Sequence, residues 1–252
     1  MFAHWQLPIL FLTGLFAGFV DSIAGGGGLI TLPVLLNLGL GPKEALGTNK
    51  LQATFGSGSA AAHYAHGKAV PLRDCVRGFL FCLAGGALGT LTVQQLDPSF
   101  LRRVIPWLLV AVAVYVILKP RLGAEDLHPL MGRVWFDLLF GLLIGFYDGF
   151  FGPGTGTFWT MAYMLALGFN MTRATGYTKV MNFASNLSSL IFFLIGGRVV
   201  FIAGLVMGVG QLLGARVGSR LVMAKGTGFI RPIFLTVVLA LTAKLIYENY
   251  RR

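Results

Sequence analysis

The amino-acid sequence predicts an all-α bundle of transmembrane helices, polytopic, with about eight to ten segments built from two homologous halves. Three observations carry that expectation: an apolar composition poor in charge, long hydrophobic runs, and an internal repeat. Hydrophobic residues make up 56% of the 252 and charged residues 12%, with a mean hydropathy of +0.76. A soluble domain carries about a quarter charged residues, because its surface must be solvated. The 35 glycines lie among Leu, Phe, Val and Ala, as in helices that pack closely within lipid, and not among the polar residues of a disordered chain. The runs lack the alternation of a membrane-spanning barrel.

Ten apolar segments follow in order, at about 5–23, 28–40, 46–65, 74–94, 101–119, 133–151, 155–169, 176–195, 199–220 and 229–247. The first lacks the basic flank and cleavage site of a signal peptide and reads as a retained helix. A spanning helix needs roughly 20 residues, so the short second and seventh segments are expected to be half-spanning, broken or re-entrant. The third and eighth are the most polar, with Asn49, Lys50, Gln52, Thr54 and Ser57 in one and Thr178, Lys179, Asn182 and Asn186 in the other. Such helices face protein or water rather than lipid.

A polar linker at 120–132 separates a first repeat, 1–119, from a second, 133–252. GLFAGFVDSIAGGGG opens the first and GLLIGFYDGFFGPGTG the second, which aligns Asp21 with Asp148 and Gly25 with Gly152. LGLGPKEALGTNKLQATFGS then matches LGFNMTRATGYTKVMNFASN, aligning Ala45 with Ala174 and Lys50 with Lys179. Further on, Gly67-Lys68-Ala69-Val70 matches Gly197-Arg198-Val199-Val200, and GGALGT at 85–90 resembles GQLLGA at 210–215. Duplicated halves are the usual build of secondary transporters. Five crossings per half would invert the second repeat. A short segment that failed to cross would change the parity. On the ten-crossing reading, excluding Lys50 and Lys179, eleven Lys and Arg lie on one set of ends and seven on the set with the termini. The positive-inside rule then places both termini outside the cytoplasm.

The net charge of +11 comes mainly from Lys and Arg at segment ends, where they meet membrane lipids. No basic helix interleaved with aromatics suggests nucleic acid. Cys75 and Cys82 stand seven apart on one predicted segment, too far for a disulfide. His63 and His66 could share a metal, but no third ligand accompanies them. Nucleophile elbows, HExxH and P-loop lysines are absent, so neither an enzyme nor a resident cofactor is expected.

The candidate site comes from the paired polar features. Gly25-Gly26-Gly27-Gly28 and Gly152-Pro153-Gly154-Thr155-Gly156 each follow an Asp-bearing helix and precede a short one. Glycine allows close backbone approach, and a helix starting after the turn aims its free amides at the opening. Two such turns facing each other would bind an anion; the plainer reading is tight bends. Lys50, beside Thr48 and Asn49, and Lys179, beside Thr178, must be paired, hydrated or interfacial. They are expected to face each other across the centre, either lining an anion path with Asn182 and Asn186 or paired with Asp21 or Asp148. For the aspartates, a counter-ion or capping role is favoured over a proton carrier.

GFVDSIAGGGGLITLP, ALGTNKLQ, GFYDGFFGPGTGTF and GQLLGARVGSRLV resemble the TauE/SafE (TSUP, sulfite exporter) family of membrane transporters, closest to its YfcA-like bacterial branch. The resemblance runs from about Leu15 to Lys244. It implies a bacterial inner-membrane protein moving sulfite, sulfonates or related organic acids. Its motif positions fall on Asp21 with Gly25 to Gly28, Thr48-Asn49-Lys50, Asp148 with Gly152, and Lys179 with Asn182. A passive anion channel is the alternative, and a membrane enzyme or scaffold subunit fits less well. The coupling ion, proton or other, and a homodimeric assembly stay open.

Overall fold

The computed structural model describes residues 5–67, 70–118, 128–225 and Tyr247. Among them are nine α-helices and no strand: α1 (Gln6–Ala24), α2 (Gly28–Asn37), α3 (Pro42–His66), α4 (Val76–Gln95, after a 3-10 turn at Leu72–Cys75), α5 (Pro98–Leu118), α6 (Arg133–Phe150), α7 (Thr155–Leu167), α8 (Met171–Ile195) and α9 (Phe201–Lys225). The tenth apolar segment, 229–247, lies outside the described residues apart from Tyr247, as does most of the central linker. Gln6–Ile23, Leu72–Gln95, Met171–Ile195 and Phe201–Leu221 are long and apolar enough to cross a membrane. Outward-facing Leu80, Leu88, Leu143, Ile195, Phe201 and Val217 are each more than half exposed. In water that belt would be costly; against lipid tails it costs nothing.

The polar helices start earlier than the apolar pattern suggests. α3 begins at Pro42 and α8 at Met171, because the charged first turns of both belong to the helix. Pro42 sits at the N-terminus of α3, where its missing N–H is no loss. Asn170 caps α8, its side chain accepting the Arg173 amide at 3.0 Å, the ordinary solution for a helix start. Cys75 ends the 3-10 turn instead of sharing α4 with Cys82, and both thiols are free and buried.

Small residues set the packing. A Cβ on Gly14 would lie 2.1 Å from the Met207 carbonyl oxygen, and one on Gly214 1.9 Å from that of Leu15. α1 and α9 therefore pack backbone to backbone and in parallel. Gly141, Gly145 and Gly149 meet Phe81, Cys82 and Gly86 in the same way, so α6 runs parallel to α4. α3 follows α9, with Leu51 on Gly204 and Phe55 on Gly208, while Gly86 of α4 meets Ser185 of α8. Between these groups α3 and α8 are antiparallel: Gly47 lies against Arg198 and Phe193, and Gly176 against Tyr64. Helices α1, α3 and α9 thus run one way, and α4, α6 and α8 the other. α1, α3 and α4 therefore run opposite to α6, α8 and α9, the helices with which their sequences align.

The short helices turn back. Phe136, early in α6, packs on Trp159 and Tyr163 of α7, and the Leu130 amide just before α6 donates to the Ala166 carbonyl near the end of α7 at 2.9 Å. α6 and α7 form a hairpin that enters and leaves by one end of the bundle. α1 and α2 form the opposing hairpin, because α2 leads back to the start of α3. The glycine turns therefore sit inside the bundle, not at the membrane ends where a ten-crossing reading puts them.

Candidate functional site

Both hairpin tips need glycine. Gly25 and Gly26 have φ of +74° and +100°, and Gly152 and Gly154 of +97° and +84°, a region that disfavours a Cβ. The tips touch. A Cβ on Gly25 would lie 2.6 Å from the Gly156 carbonyl carbon, and one on Gly28 3.2 Å from the Pro153 Cα. The Gly27 amide donates to Asp21 Oδ1 at 3.0 Å, so this carboxylate caps the entry to α2. In the other tip the Thr155 hydroxyl donates to the Gly152 carbonyl at 2.5 Å.

Lys50 and Lys179, at 1% and 0% exposure, are among the most buried large side chains. Each reaches into the other hairpin. Lys50 Nζ lies 2.6 Å from Asp148 Oδ1, donates also to the Asp148 carbonyl, and reaches Asn186 Oδ1 at 3.2 Å. Lys179 Nζ lies 3.1 Å from Asp21 Oδ2 and donates to the Asp21 carbonyl. The Ser185 hydroxyl donates to Asp148 Oδ2. Asp21 and Asp148 stand in the last turns of α1 and α6, where the helix dipole is negative. Each ammonium thus neutralises both a carboxylate and a helix C-terminus.

Between the tips lies a cavity of about 30 Å³, room for two or three water-sized groups at roughly 10–15 Å³ each. Asp21, Asp148, Asn49, Asn182 and Asn186 line it, together with Gly26, Gly28, Gly152, Gly154 and Thr155. The lysines do not line it; their charges are turned to the aspartates. Gly25 and Gly27 shape the first tip from behind. Thr48 faces away, accepting the Val200 amide at 3.0 Å, and Thr178 pairs with Thr160 at 3.2 Å. Asn49 is held by Thr31 at 2.5 Å and Gln52 at 2.7 Å.

Ala53 and Gly156 of the second turn complete the wall, and the structure adds Gln211. Gln211 is 2% exposed in the apolar α9. It is missed in the sequence, where a lone amide in such a helix, within a block matched between halves, is the one signal available. Asn182 Oδ1 and Gln211 Oε1 are buried and accept no hydrogen bond among the described residues. Nor does a backbone carbonyl among those residues accept from the amides of Gly26, Gly154 or Gly156. The two Lys–Asp pairs cancel, so the uncompensated positive potential comes from the N-termini of α2 and α7.

Two opposed helical hairpins that meet at a small polar cavity, inside a bundle with an apolar outer face, define a helical membrane protein. The chain belongs to the sulfite exporter TauE/SafE family, whose pattern matches residues 10–245. It is 45% identical to a "probable membrane transporter protein" of Haemophilus influenzae over 96% of this chain and 95% of that one. It is 44% identical to the "probable membrane transporter protein YfcA" of Escherichia coli K12, over 97% and 91%. A Bacillus subtilis relative, "probable membrane transporter protein YunE", is 23% identical over 96% and 97%. No solved structure matches the chain.

Proposed function

We propose that the protein is a secondary transporter of small anions, of the sulfite, sulfonate and small organic-acid type, in the bacterial inner membrane, binding its substrate between the hairpin tips. The observation that carries this reading is the charge balance of the cavity. The lysines cover the negative ends of α1 and α6 and the two carboxylates, while the tip amides of Gly26, Gly154 and Gly156, which no backbone carbonyl among the described residues accepts, are left for a ligand. An anion of a few heavy atoms suits the cavity as it stands. The helices fall into two parallel groups, α1, α3 and α9 against α4, α6 and α8, each carrying one broken helix. Rocking one group against the other would open the cavity to either side.

The test is flux into proteoliposomes, with a panel of sulfur oxyanions, sulfonates and carboxylates, with and without a pH difference. Accumulation of one class above its external concentration is expected. Uptake that only ever equilibrates would make the protein a passive channel, and uptake of cations in preference to anions would overturn the reading of the amides.

A further inference from the structure

A second polar recess lies away from the central cavity, at the end of the bundle where α4, α6 and α8 begin. It is a groove of about 640 Å³, lined by Arg73, Arg77, Arg133 and Arg173 and floored by Val76, Leu80 and Phe81. Three separate stretches of chain bring the arginines together: the 3-10 turn and start of α4, the first residue of α6, and the first turn of α8. The carboxylates here are Asp74, in the groove, and the buried Asp137, which binds both Arg77 and Arg133 at 3.0 Å. Among the described residues, four guanidiniums converge on a groove that holds these two carboxylates, which makes it basic.

Two of the guanidiniums are held in place. Arg133 stacks over Tyr177 with 4.9 Å to the ring centroid, and Arg173 over Phe169 with 3.9 Å. From the groove an apolar strip continues along the bundle. Leu72, Val76, Leu80 and Leu88, on one face at multiples of four residues, are 55–59% exposed. Alongside it on the neighbouring α6, Leu139 and Leu143 are also exposed.

We propose that this groove binds the phosphate headgroup of an anionic phospholipid, with its acyl chains laid along the exposed face of α4. Planar guanidiniums suit phosphate. A free oxyanion would fill a small part of the groove and make no use of its apolar floor or of the strip beyond it; a phosphate ester with chains uses all three. The bound phosphate would tie together the first turns of α4, α6 and α8, the helix group that carries Asp148.

The experiment uses the full chain in a neutral detergent, titrated with phosphatidylglycerol, phosphatidylcholine or inorganic phosphate. Bound lipid is read by native mass spectrometry and stability by melting temperature. Phosphatidylglycerol should bind saturably and raise the melting temperature, and the other two should not. Arg73→Gln with Arg173→Gln should weaken the apparent phosphatidylglycerol affinity about 25-fold, at roughly fivefold for each basic group near a charged lipid surface. If the double variant fails to fold, Arg73→Gln alone, whose side chain is exposed, carries the test at about fivefold. Equal binding of phosphatidylcholine would reduce the groove to a general lipid surface. Equal stabilisation by inorganic phosphate would make it a free-anion site. Wild-type affinity in the folded variant would remove the arginines. Each of these three results overturns the proposal.

Discussion

Replacing Lys50 by Gln should strand the Asp148 carboxylate, almost wholly buried, without its counter-ion. In the native protein the two side chains are 1% and 4% exposed and 2.6 Å apart. Breaking one side of a buried pair costs about 3–5 kcal/mol, because a charge is left uncompensated. The Ser185 hydroxyl still donates to Asp148, so a loss near 3 kcal/mol is expected, read by denaturant unfolding of the purified protein. Adding Asp148→Asn removes the stranded charge and should recover about 1–3 kcal/mol, the usual coupling between residues in contact. Adding Asp21→Asn instead should recover nothing, because Asp21 pairs with Lys179 across the other tip. Rescue by Asp21→Asn, or a single-variant loss below about 1 kcal/mol of the kind exposed pairs show, would refute the exchanged pairing.

Three further expectations follow from the geometry. Gly26→Val and Gly154→Val, at φ of +100° and +84°, should abolish uptake while the protein still inserts; inserted variants with wild-type rates would reduce both turns to bends. Gln211→Leu removes an amide whose Oε1 has no partner among the described residues, so it should leave the melting temperature unchanged or slightly raised while raising the KM for uptake several-fold; an unchanged KM would take Gln211 out of the site. Thr48→Val deletes only the acceptor for the Val200 amide, so it should cost about 1 kcal/mol of stability with no change in KM. A changed KM with unchanged stability would return Thr48 to the cavity.

The helical pattern was legible because apolar runs this long have one solution in lipid, and the observed helices fall on nine of the ten segments read from the sequence. The short lengths of α2 and α7 already pointed to broken or re-entrant segments. The site was legible in its residue types and less so in its pairings. Matching Asp21 with Asp148 and Lys50 with Lys179 shows that four charges recur, but not which meets which. That depends on the antiparallel packing of α3 against α8, which is long-range information. Thr48 and Thr178 look equivalent to the lining asparagines in sequence. A helical turn of 3.6 residues points Thr48 toward α9 and Asn49 toward the cavity. Gln211 was hidden for the opposite reason, a single amide in the first, apolar half of a helix that reads as lipid-facing there.

The exchanged pairs also decide what the lysines can do in a transport cycle. A lysine bound within its own hairpin would travel with that hairpin and leave the halves free of each other. Here Lys50, on α3, holds the end of α6, and Lys179, on α8, holds the end of α1. Each pair therefore joins the two oppositely directed helix groups. Any motion that separates the groups must stretch both pairs together. A cycle that keeps both pairs closed is restricted to rotation about them, which would make the Lys–Asp pairs the pivot and the glycine contact the sliding surface. A cycle that opens one pair needs a compensating charge at that moment, and the substrate anion beside the freed ammonium would supply it. The second route predicts that substrate protects the singly substituted Asp148→Asn protein, whose Lys50 lacks its counter-ion, more than it protects the wild type. Equal protection of the two by the same anion would leave the pivot.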